Sequence, residues 1–323
     1  MTMQIHTLSV LVPIYNEAQA ILACAERIKQ VGDSVQHKLA IAWNVVFVDD
    51  GSIDSSWHQI ESLCSADPRF TGIKLSRNFG KEAALTAGLD HIESDFVFII
   101  DADLQDPPEL LETFFLKCQE GFDVVYGVRE SREGETWFKR MTAAAFYRIL
   151  NKFSDSPIPK DTGDFRLMTK SAVLVLRQLR ERNRFMKGLF AWIGLPQAPI
   201  FYQRHARTLG TSKWNYWRLW NFALDGITSF STLPLRFSTY LGLATAVFSF
   251  LFGGYILLRT VIFGVDLPGY ASIMVAMMFL SGVQLMALGV IGEYLGRLVN
   301  ESKQRPIYIV QKNLIAAPSF SSL

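Results

Sequence analysis

The chain has 323 residues, half of them hydrophobic, with 32 basic against 30 acidic side chains and a mean hydropathy of +0.18. A net charge of +2 is too small to argue for a nucleic-acid partner, and three cysteines (Cys24, Cys64, Cys118), odd in number and without metal spacing, argue for reduced thiols rather than a disulfide framework. The length leaves room for a soluble domain of about 200 residues and a second region that houses the apolar excess.

Leu8-Ser9-Val10-Leu11-Val12 predicts a buried strand, followed by Pro13-Ile14-Tyr15-Asn16-Glu17 and an amphipathic helix from Ala18. This order puts Tyr15, Asn16 and Glu17 at the carboxyl edge of a parallel sheet, where open α/β folds bind ligands. Val45-Val46-Phe47-Val48 repeats the pattern and runs into Asp49-Asp50-Gly51-Ser52-Ile53-Asp54. Two uses are compatible there: Ser52 or Asp54 caps the helix containing Trp57 and Ile60, while Asp49 or Asp50 hydrogen-bonds a base or ribose. From Gly72 a short strand leads into the basic turn Arg77-Asn78-Phe79-Gly80-Lys81 before a helix from Glu82 to Asp90. Arg77 and Lys81 are either solvated surface charges or counter-charges to a diphosphate.

Phe96-Val97-Phe98-Ile99-Ile100 passes without a break into Asp101-Ala102-Asp103-Leu104-Gln105-Asp106-Pro107-Pro108. A buried strand ending in two carboxylates and an amide at alternate positions presents hard oxygen ligands, the kind Mg²⁺ or Mn²⁺ prefers. The plainer use of such residues is to form a turn, with the prolines opening a helix at Glu109.

Further along, Pro157 and Pro159 precede the polar island Lys160-Asp161-Thr162-Gly163-Asp164-Phe165-Arg166, where Asp164 and Arg166 could form a local ion pair worth little. His205-Ala206-Arg207-Thr208-Leu209-Gly210-Thr211-Ser212-Lys213 combines cations, hydroxyls and a glycine in a way that suits a phosphate, or serves as a basic linker attracted to anionic lipid. Lys213 to Leu224 puts Trp214, Trp217, Asn221 and Leu224 on one helical face, as in a helix lying in a membrane interface or an amphipathic core helix.

The apolar excess sits in Phe237 to Leu258 and Leu267 to Gly292, which contain no charged residue. Each reaches the ~20 residues needed to cross a hydrocarbon core of ~30 Å, so two transmembrane helices are expected. No signal peptide is expected at the N-terminus. Lys213, Arg218 and Arg236 flank the first span, and Arg297, Lys303, Arg305 and Lys312 follow the second. The positive-inside rule then puts both termini in the cytoplasm. The expected organisation is a catalytic domain over 1–212, an interfacial region over 213–234, the spans within 235–298 and a cytoplasmic tail over 299–323.

The four strand ends together resemble the nucleotide-binding half of a family 2 glycosyltransferase of the GT-A fold, a Rossmann-like α/β architecture. With Gly163-Asp164-Phe165-Arg166-Leu167-Met168, Glu181 to Gly188 and Gly292-Glu293-Tyr294-Leu295-Gly296-Arg297, nearly the whole chain looks like a polyprenyl-phosphate glycosyltransferase of the bactoprenol glucosyltransferase type, related to dolichol-phosphate mannose synthase.

That resemblance implies inverting transfer of glucose from UDP-glucose to undecaprenyl phosphate at the cytoplasmic face of a bacterial inner membrane, in cell-envelope glycan (lipopolysaccharide or O-antigen) modification. Mannose, N-acetylglucosamine and an amino-arabinose are the alternative sugars. Pro13, Tyr15, Asn16, Glu17, Asp49, Asp50, Lys81, Asp101 and Ala102 would hold the nucleotide sugar. Asp101, Asp103 and Gln105 would hold Mg²⁺ or Mn²⁺, and Arg129, Arg166, Arg207, Ser212 and Lys213 would meet the phosphate and acceptor. Asp103, Arg129 and Asp164 would be catalytic, although a phosphate monoester with a second pKa near 6 needs little help from Asp164 as a base. Related enzymes assemble as tetramers, so a homo-oligomer in the lipid bilayer is expected. A processive polysaccharide synthase would carry a Gln-x-x-Arg-Trp motif, which is absent. A non-catalytic membrane scaffold would have lost the acidic residues.

Overall fold

The computed structural model describes residues 6–130, 162–182, 184–203, 233–264 and 269–314. Two compact units divide the chain: residues 1–220 together with 305–323, and residues 221–304.

The first unit is built on strands β1 (His6–Ile14), β2 (Ile41–Asp49), β3 (Phe70–Leu75), β4 (Phe96–Ile99), β5 (Val124–Arg129), β6 (Thr162–Thr169), β7 (Gln197–Tyr202) and β8 (Val310–Asn313). Its helices are α1 (Ile21–Leu39), α2 (Ser56–Ala66), α3 (Lys81–His91), α4 (Leu111–Gln119), α5 (Lys170–Gln178) and α6 (Met186–Trp192). The strands form one sheet in the order β7-β5-β6-β4-β1-β2-β3-β8. β1 is parallel to both β2 and β4, with Val10 level with Val45 on one side and Phe98 on the other. The order reverses between β1 and β4, and the crevice beyond their carboxyl ends is where an open α/β sheet binds its ligand.

Leu8, Val10, Leu11 and Val12 are all buried, so β1 is covered on both faces, and the one polar residue among them, Ser9, is buried with its hydroxyl bonded to Asn44 and Ser94. A Cβ on Gly88 would run into Leu11, so α3 sits close against β1. On the other flank Phe98, Phe114, Phe165 and Tyr202 join in edge-on and tilted contacts with ring centroids 5.0 to 5.7 Å apart. Each such pair is worth about 0.5–1.5 kcal/mol beyond its burial. Together they tie β4, α4, β6 and β7 into one block.

Helix starts differ in detail from the sequence expectation. Ser52 does not cap α2; its hydroxyl accepts the Asn16 amide at 2.9 Å, because Gly51 turns the chain back toward β1 before the helix begins. Asp54 accepts the amides of Ser56 (3.0 Å) and Ala18 (3.3 Å), linking the α2 start to the segment after β1. After the acidic turn the chain makes a 3₁₀ turn over Pro108–Leu110 before α4, as the paired prolines favour.

The C-terminal segment re-enters this unit. β8 pairs antiparallel with β3, the Leu314 amide donates to the Gly72 carbonyl at 2.7 Å, and the edge of β3 is covered.

The second unit holds α7 (Leu233–Phe263) and α8 (Tyr270–Ser302), of 31 and 33 residues. Phe237–Phe263 and Ser272–Ser302 have mean hydropathies of 2.0 and 2.1, long and apolar enough to cross a membrane. Both helices outrun the uncharged segments read from the sequence, because Arg259, Glu293 and Arg297 are good helix formers.

Candidate active site

The first wall of the crevice is built where β1 and β2 end. Asn16 has a φ of 52°, a left-handed conformation that asparagine tolerates, and its side-chain oxygen accepts the Ile53 amide at 2.9 Å. The Ser56 hydroxyl accepts the Glu17 amide at 3.0 Å. These bonds fasten Tyr15-Asn16-Glu17 to the turn after β2, with Tyr15 40% exposed and Pro13 partly buried in β1.

Asp49 and Asp50 are both buried. The Asp50 carboxylate accepts the amides of Phe79 and Gly80, at 2.7 and 2.9 Å, and so clamps the turn between β3 and α3. Gly51, with a φ of +68°, makes this possible: a Cβ would collide with the Arg77 backbone and lie 2.6 Å from the Asn78 nitrogen. Asp49 Oδ1 accepts the Ser52 amide at 3.2 Å, whereas Oδ2 is buried with no partner. Burial raises both carboxyls above the usual range, with Ser52 opposing it at Asp49 and the Phe79 and Gly80 amides at Asp50. A buried acceptor left open is a place for an N–H or O–H donor on a ligand.

The second wall follows β4. Asp101, Asp103 and Gln105 are partly buried, Ala102 between them is 4% exposed, and Leu104 has a φ of 52°. For a leucine that conformation costs on the order of 1 kcal/mol, strain that here bends the chain so that Asp103 Oδ1 accepts the Gln105 amide at 3.2 Å.

The third wall comes from β6 and α3. Lys81 Nζ lies 2.6 Å from Asp101 Oδ1 and 2.7 Å from Asp164 Oδ2, bridging the acidic turn to the polar island. Burial alone would raise the Asp164 carboxyl, but Lys81 first and Lys187 next outweigh it and hold it at about 2. Lys81 itself is raised: its burial is overcome by Asp101 and Asp164. Glu82, beside it, is pushed up to about 7 by burial and by Asp164, and accepts the Met186 amide at 3.1 Å. Asp164 and Arg166 do not form the local ion pair considered above. Arg166, 3% exposed, donates to the Gly163 carbonyl at 2.8 Å and stacks over Phe190 at 3.4 Å, so it braces this segment from within.

Arg129, at the end of β5, packs against Gly163, where a Cβ would lie 2.9 Å from its Nη2. Asp106, 2% exposed, accepts the Tyr202 hydroxyl at 2.6 Å and lies 4.0 Å from Arg129. Arg207, Ser212 and Lys213 lie outside the described residues, as does nearly all of the expected interfacial region.

The structure therefore brings Lys81, Asp101, Asp164 and Arg129 into one charged cluster and sets Asn16, Asp49 and Asp50 in a hydrogen-bonded neighbour. It also adds Lys187, which sequence reasoning missed. Burial lowers its ammonium, while its electrostatic partners are Asp164, Arg129, Lys81 and Glu82. The Glu181 to Gly188 stretch that carries the family resemblance contains it, but nothing in the sequence placed it beside Asp164. The cysteines are free, with burial pushing the Cys24 and Cys118 thiols up to about 12 and Cys64 to about 11. They are inert at neutral pH.

Among the described residues no group of three or more His, Cys, Asp and Glu is placed to enclose a metal ion. A divalent ion held by one or two carboxylates together with substrate phosphates needs no such cage. The two carboxylates and the amide oxygen of Asp101, Asp103 and Gln105 fit that manner of binding.

Residues 9–176 match glycosyl transferase family 2, and residues 233–298 match the GtrB C-terminal hairpin. An uncharacterized glycosyltransferase of Synechocystis is 48% identical over 303 residues, 94% of each chain. The bactoprenol glucosyl transferase of Shigella phage SfV is 44% identical over 304 residues, 94% of this chain and 98% of the phage protein. A mannosyltransferase from Pyrobaculum calidifontis, solved with GDP-mannose and Mn²⁺, is 17% identical with a TM-score of 0.44, covering 94% of this chain and 77% of its own. With one family match across 9–176 and relatives at 48% and 44% identity along 94% of its length, the chain belongs to glycosyltransferase family 2.

Proposed function

We propose that this protein transfers glucose from UDP-glucose to undecaprenyl phosphate, with inversion at the anomeric carbon, at the cytoplasmic face of a bacterial inner membrane. The observation that carries the reading is Lys81 bridging Asp101 and Asp164 at the sheet's switch point, with Arg129 against Gly163. An acidic turn and a cationic cluster in contact suit a reaction that joins two anions. The bactoprenol relatives and the hairpin match support the lipid acceptor, and α7 and α8 supply the spans. The enzyme would act as a homotetramer.

In this reading Asn16, Asp49 and their neighbours receive the nucleoside, with the open Asp49 oxygen accepting an N–H or O–H from it. Asp101, Asp103 and Gln105 would hold Mg²⁺ or Mn²⁺, whose chemistry there is to neutralise the departing diphosphate. Lys81, Arg129 and Lys187, with Arg207, Ser212 and Lys213 from the sequence, oppose the repulsion between donor and acceptor phosphates. An acceptor oxygen attacks C1 of the sugar, the bond from C1 to the diphosphate oxygen breaks, and UDP leaves. Asp164, held at about 2, is too weak a base to take a proton at neutral pH. The ionised acceptor needs none taken, since its second pKa lies near 6. Asp164 is instead the anchor that fixes Lys81.

The test is transfer of label from a panel of nucleotide sugars to undecaprenyl phosphate by purified protein with Mg²⁺ or Mn²⁺. Glucose transfer, abolished by chelation and restored by either ion, is the expected result. Transfer of another sugar would replace the donor and keep the mechanism, whereas no metal-dependent transfer would refute it.

A further inference from the structure

Glu82 has no part in the transfer chemistry, yet it stands between two lysines that do. Lys81 precedes it at the start of α3 and bridges Asp101 and Asp164 at 2.6 and 2.7 Å. On its other side, Glu82 Oε2 accepts the Met186 amide at 3.1 Å, across 104 positions of sequence, and Lys187 is the next residue along. Met186 opens α6, and the first amides of a helix have no partner within it. Phe185, at the cap position, has no side-chain oxygen to offer, so α3 supplies the acceptor that α6 lacks. One side chain thereby joins the start of the helix that carries Lys81 to the start of the helix that carries Lys187.

The charges that face Glu82 come from each element around it: Lys81 on α3, Asp164 and Arg166 on β6, Arg184 before α6 and Lys187 on α6. Lys187 is the one among them that most needs a counter-charge. Burial works against its ammonium and so do Arg129 and Lys81, while Asp164 and Glu82 support it. Asp164 is already engaged by Lys81, whereas Glu82 is fastened to the backbone next to Lys187. We propose that Glu82 is a positioning residue for sugar transfer: bonded to the Met186 amide, it holds Lys187 at the transfer centre and supplies the negative charge that this buried ammonium needs. The role rests on the reading of Lys187 as a contact for the donor and acceptor phosphates. Burial first, and Asp164 next, push the Glu82 carboxyl up to about 7, so its charge is present on the alkaline side of neutrality and absent in mild acid.

Two variants separate charge from scaffolding in the full-length protein in detergent. Glu82→Gln keeps an oxygen for the Met186 amide and loses the charge; Glu82→Asp keeps the charge and loses a methylene of reach. At about pH 8, kcat for transfer from UDP-glucose should fall at least about fivefold in Glu82→Gln, with KM for the donor within about twofold of wild type. Glu82→Asp should lie above Glu82→Gln, the reverse of the order that a purely structural bond would give. The gap between wild type and Glu82→Gln should close toward about pH 6, where the wild-type carboxyl is itself protonated. Ionisation of the acceptor phosphate affects both proteins alike and cancels in the ratio. A second arm needs no turnover: acetic anhydride acetylates only the free amine, and the pH profile of Lys187 labelling is read by mass spectrometry. In Glu82→Gln that profile should move about one pH unit to lower pH, and Glu82→Asp should restore most of the shift. A Glu82→Gln kcat within about twofold of an active wild type, or a Lys187 profile that does not move, would overturn the role. If the wild type transfers no sugar, the reading of the site falls, and the labelling arm alone decides whether Glu82 governs Lys187.

Discussion

Replacing Lys81 with methionine should destabilise the first unit by about 2–4 kcal/mol, and the size follows from its partner rather than from the lysine. Asp164 lies largely inside the protein, with 13% of its side chain exposed, and one of its oxygens has no hydrogen-bond partner. Its carboxyl nevertheless stays at about 2, against an ordinary 3.8. At 1.36 kcal/mol per pH unit that difference is worth roughly 2 kcal/mol, and Lys81 is the largest favourable contributor. Without Lys81, burial is opposed mainly by Lys187, and the same carboxylate becomes a cost. The sign can be checked against pH. A folded value below the unfolded one stabilises fully above pH ~4 and is lost as pH falls toward ~2. In Lys81→Met the Asp164 carboxyl rises, so the wild type's advantage is full at neutral pH and fades in acid.

Hydrogen exchange of the β4 and β6 amides, followed by mass spectrometry in metal-free buffer, reports the opening of this unit by itself. Asp164→Asn and the Lys81→Met/Asp164→Asn double variant complete a cycle, in which the double variant should be more stable than the sum of the single losses predicts, by about 1–3 kcal/mol. Additive losses, or a Lys81→Met variant within about 0.5 kcal/mol of wild type at pH 7, would refute the claim that this pair holds the two walls together.

Asp50→Asn sets an amide donor against either Phe79 or Gly80 N–H, and should cost about 1–3 kcal/mol, seen as faster exchange of those two amides. Gly51→Ala forces a Cβ into the Arg77 backbone at a positive φ and should cost at least about 1–3 kcal/mol by thermal unfolding. Burial raises Asp49 and Asp50, so their contributions are complete below pH ~4 and decline as pH rises through the raised folded values. Asp49→Asn should therefore flatten the fall of the thermal midpoint above pH 4 while weakening UDP binding in calorimetry. Tyr202→Phe takes the hydroxyl from buried Asp106 and should cost about 1–3 kcal/mol in the same unfolding assay, with a fall in kcat as Arg129 loses its neighbour.

The strand ends were legible because a parallel strand buried on both faces has to be an unbroken apolar run, and the first polar residue after it has to lie at the edge. Val10–Val12 and Val97–Ile100 are such runs. What the polar residues do there was less legible, because it depends on partners distant in sequence. Ser52 looks like a cap until Asn16 is brought alongside, and Asp164 looks like a partner for Arg166 until α3 delivers Lys81. Lys187 lies in the Glu181 to Gly188 stretch that carries the family resemblance, but its place beside Asp164 is made by side chains from separate elements and could not be read locally. β8 was read as part of a tail because Val310–Asn313 is short and mostly polar, as an exposed edge strand can be.

The two sides of the crevice are held by different forces, and that difference bears on how they work. Around Asn16 and Asp50, side-chain oxygens accept backbone amides, bonds that cannot be exchanged without unfolding the turns they define. Around Lys81, Asp101 and Arg129, charged side chains satisfy one another, and an incoming anion or cation can replace one partner at modest cost because the total charge is conserved. The aromatic block of Phe98, Phe114, Phe165 and Tyr202 keeps the backbones beneath those charges fixed while the side chains trade partners. In the proposed reading the rigid side receives the nucleotide and the exchangeable side the phosphates, so substitutions near Asp50 should act on stability and KM together, and substitutions near Arg129 and Lys187 first on kcat.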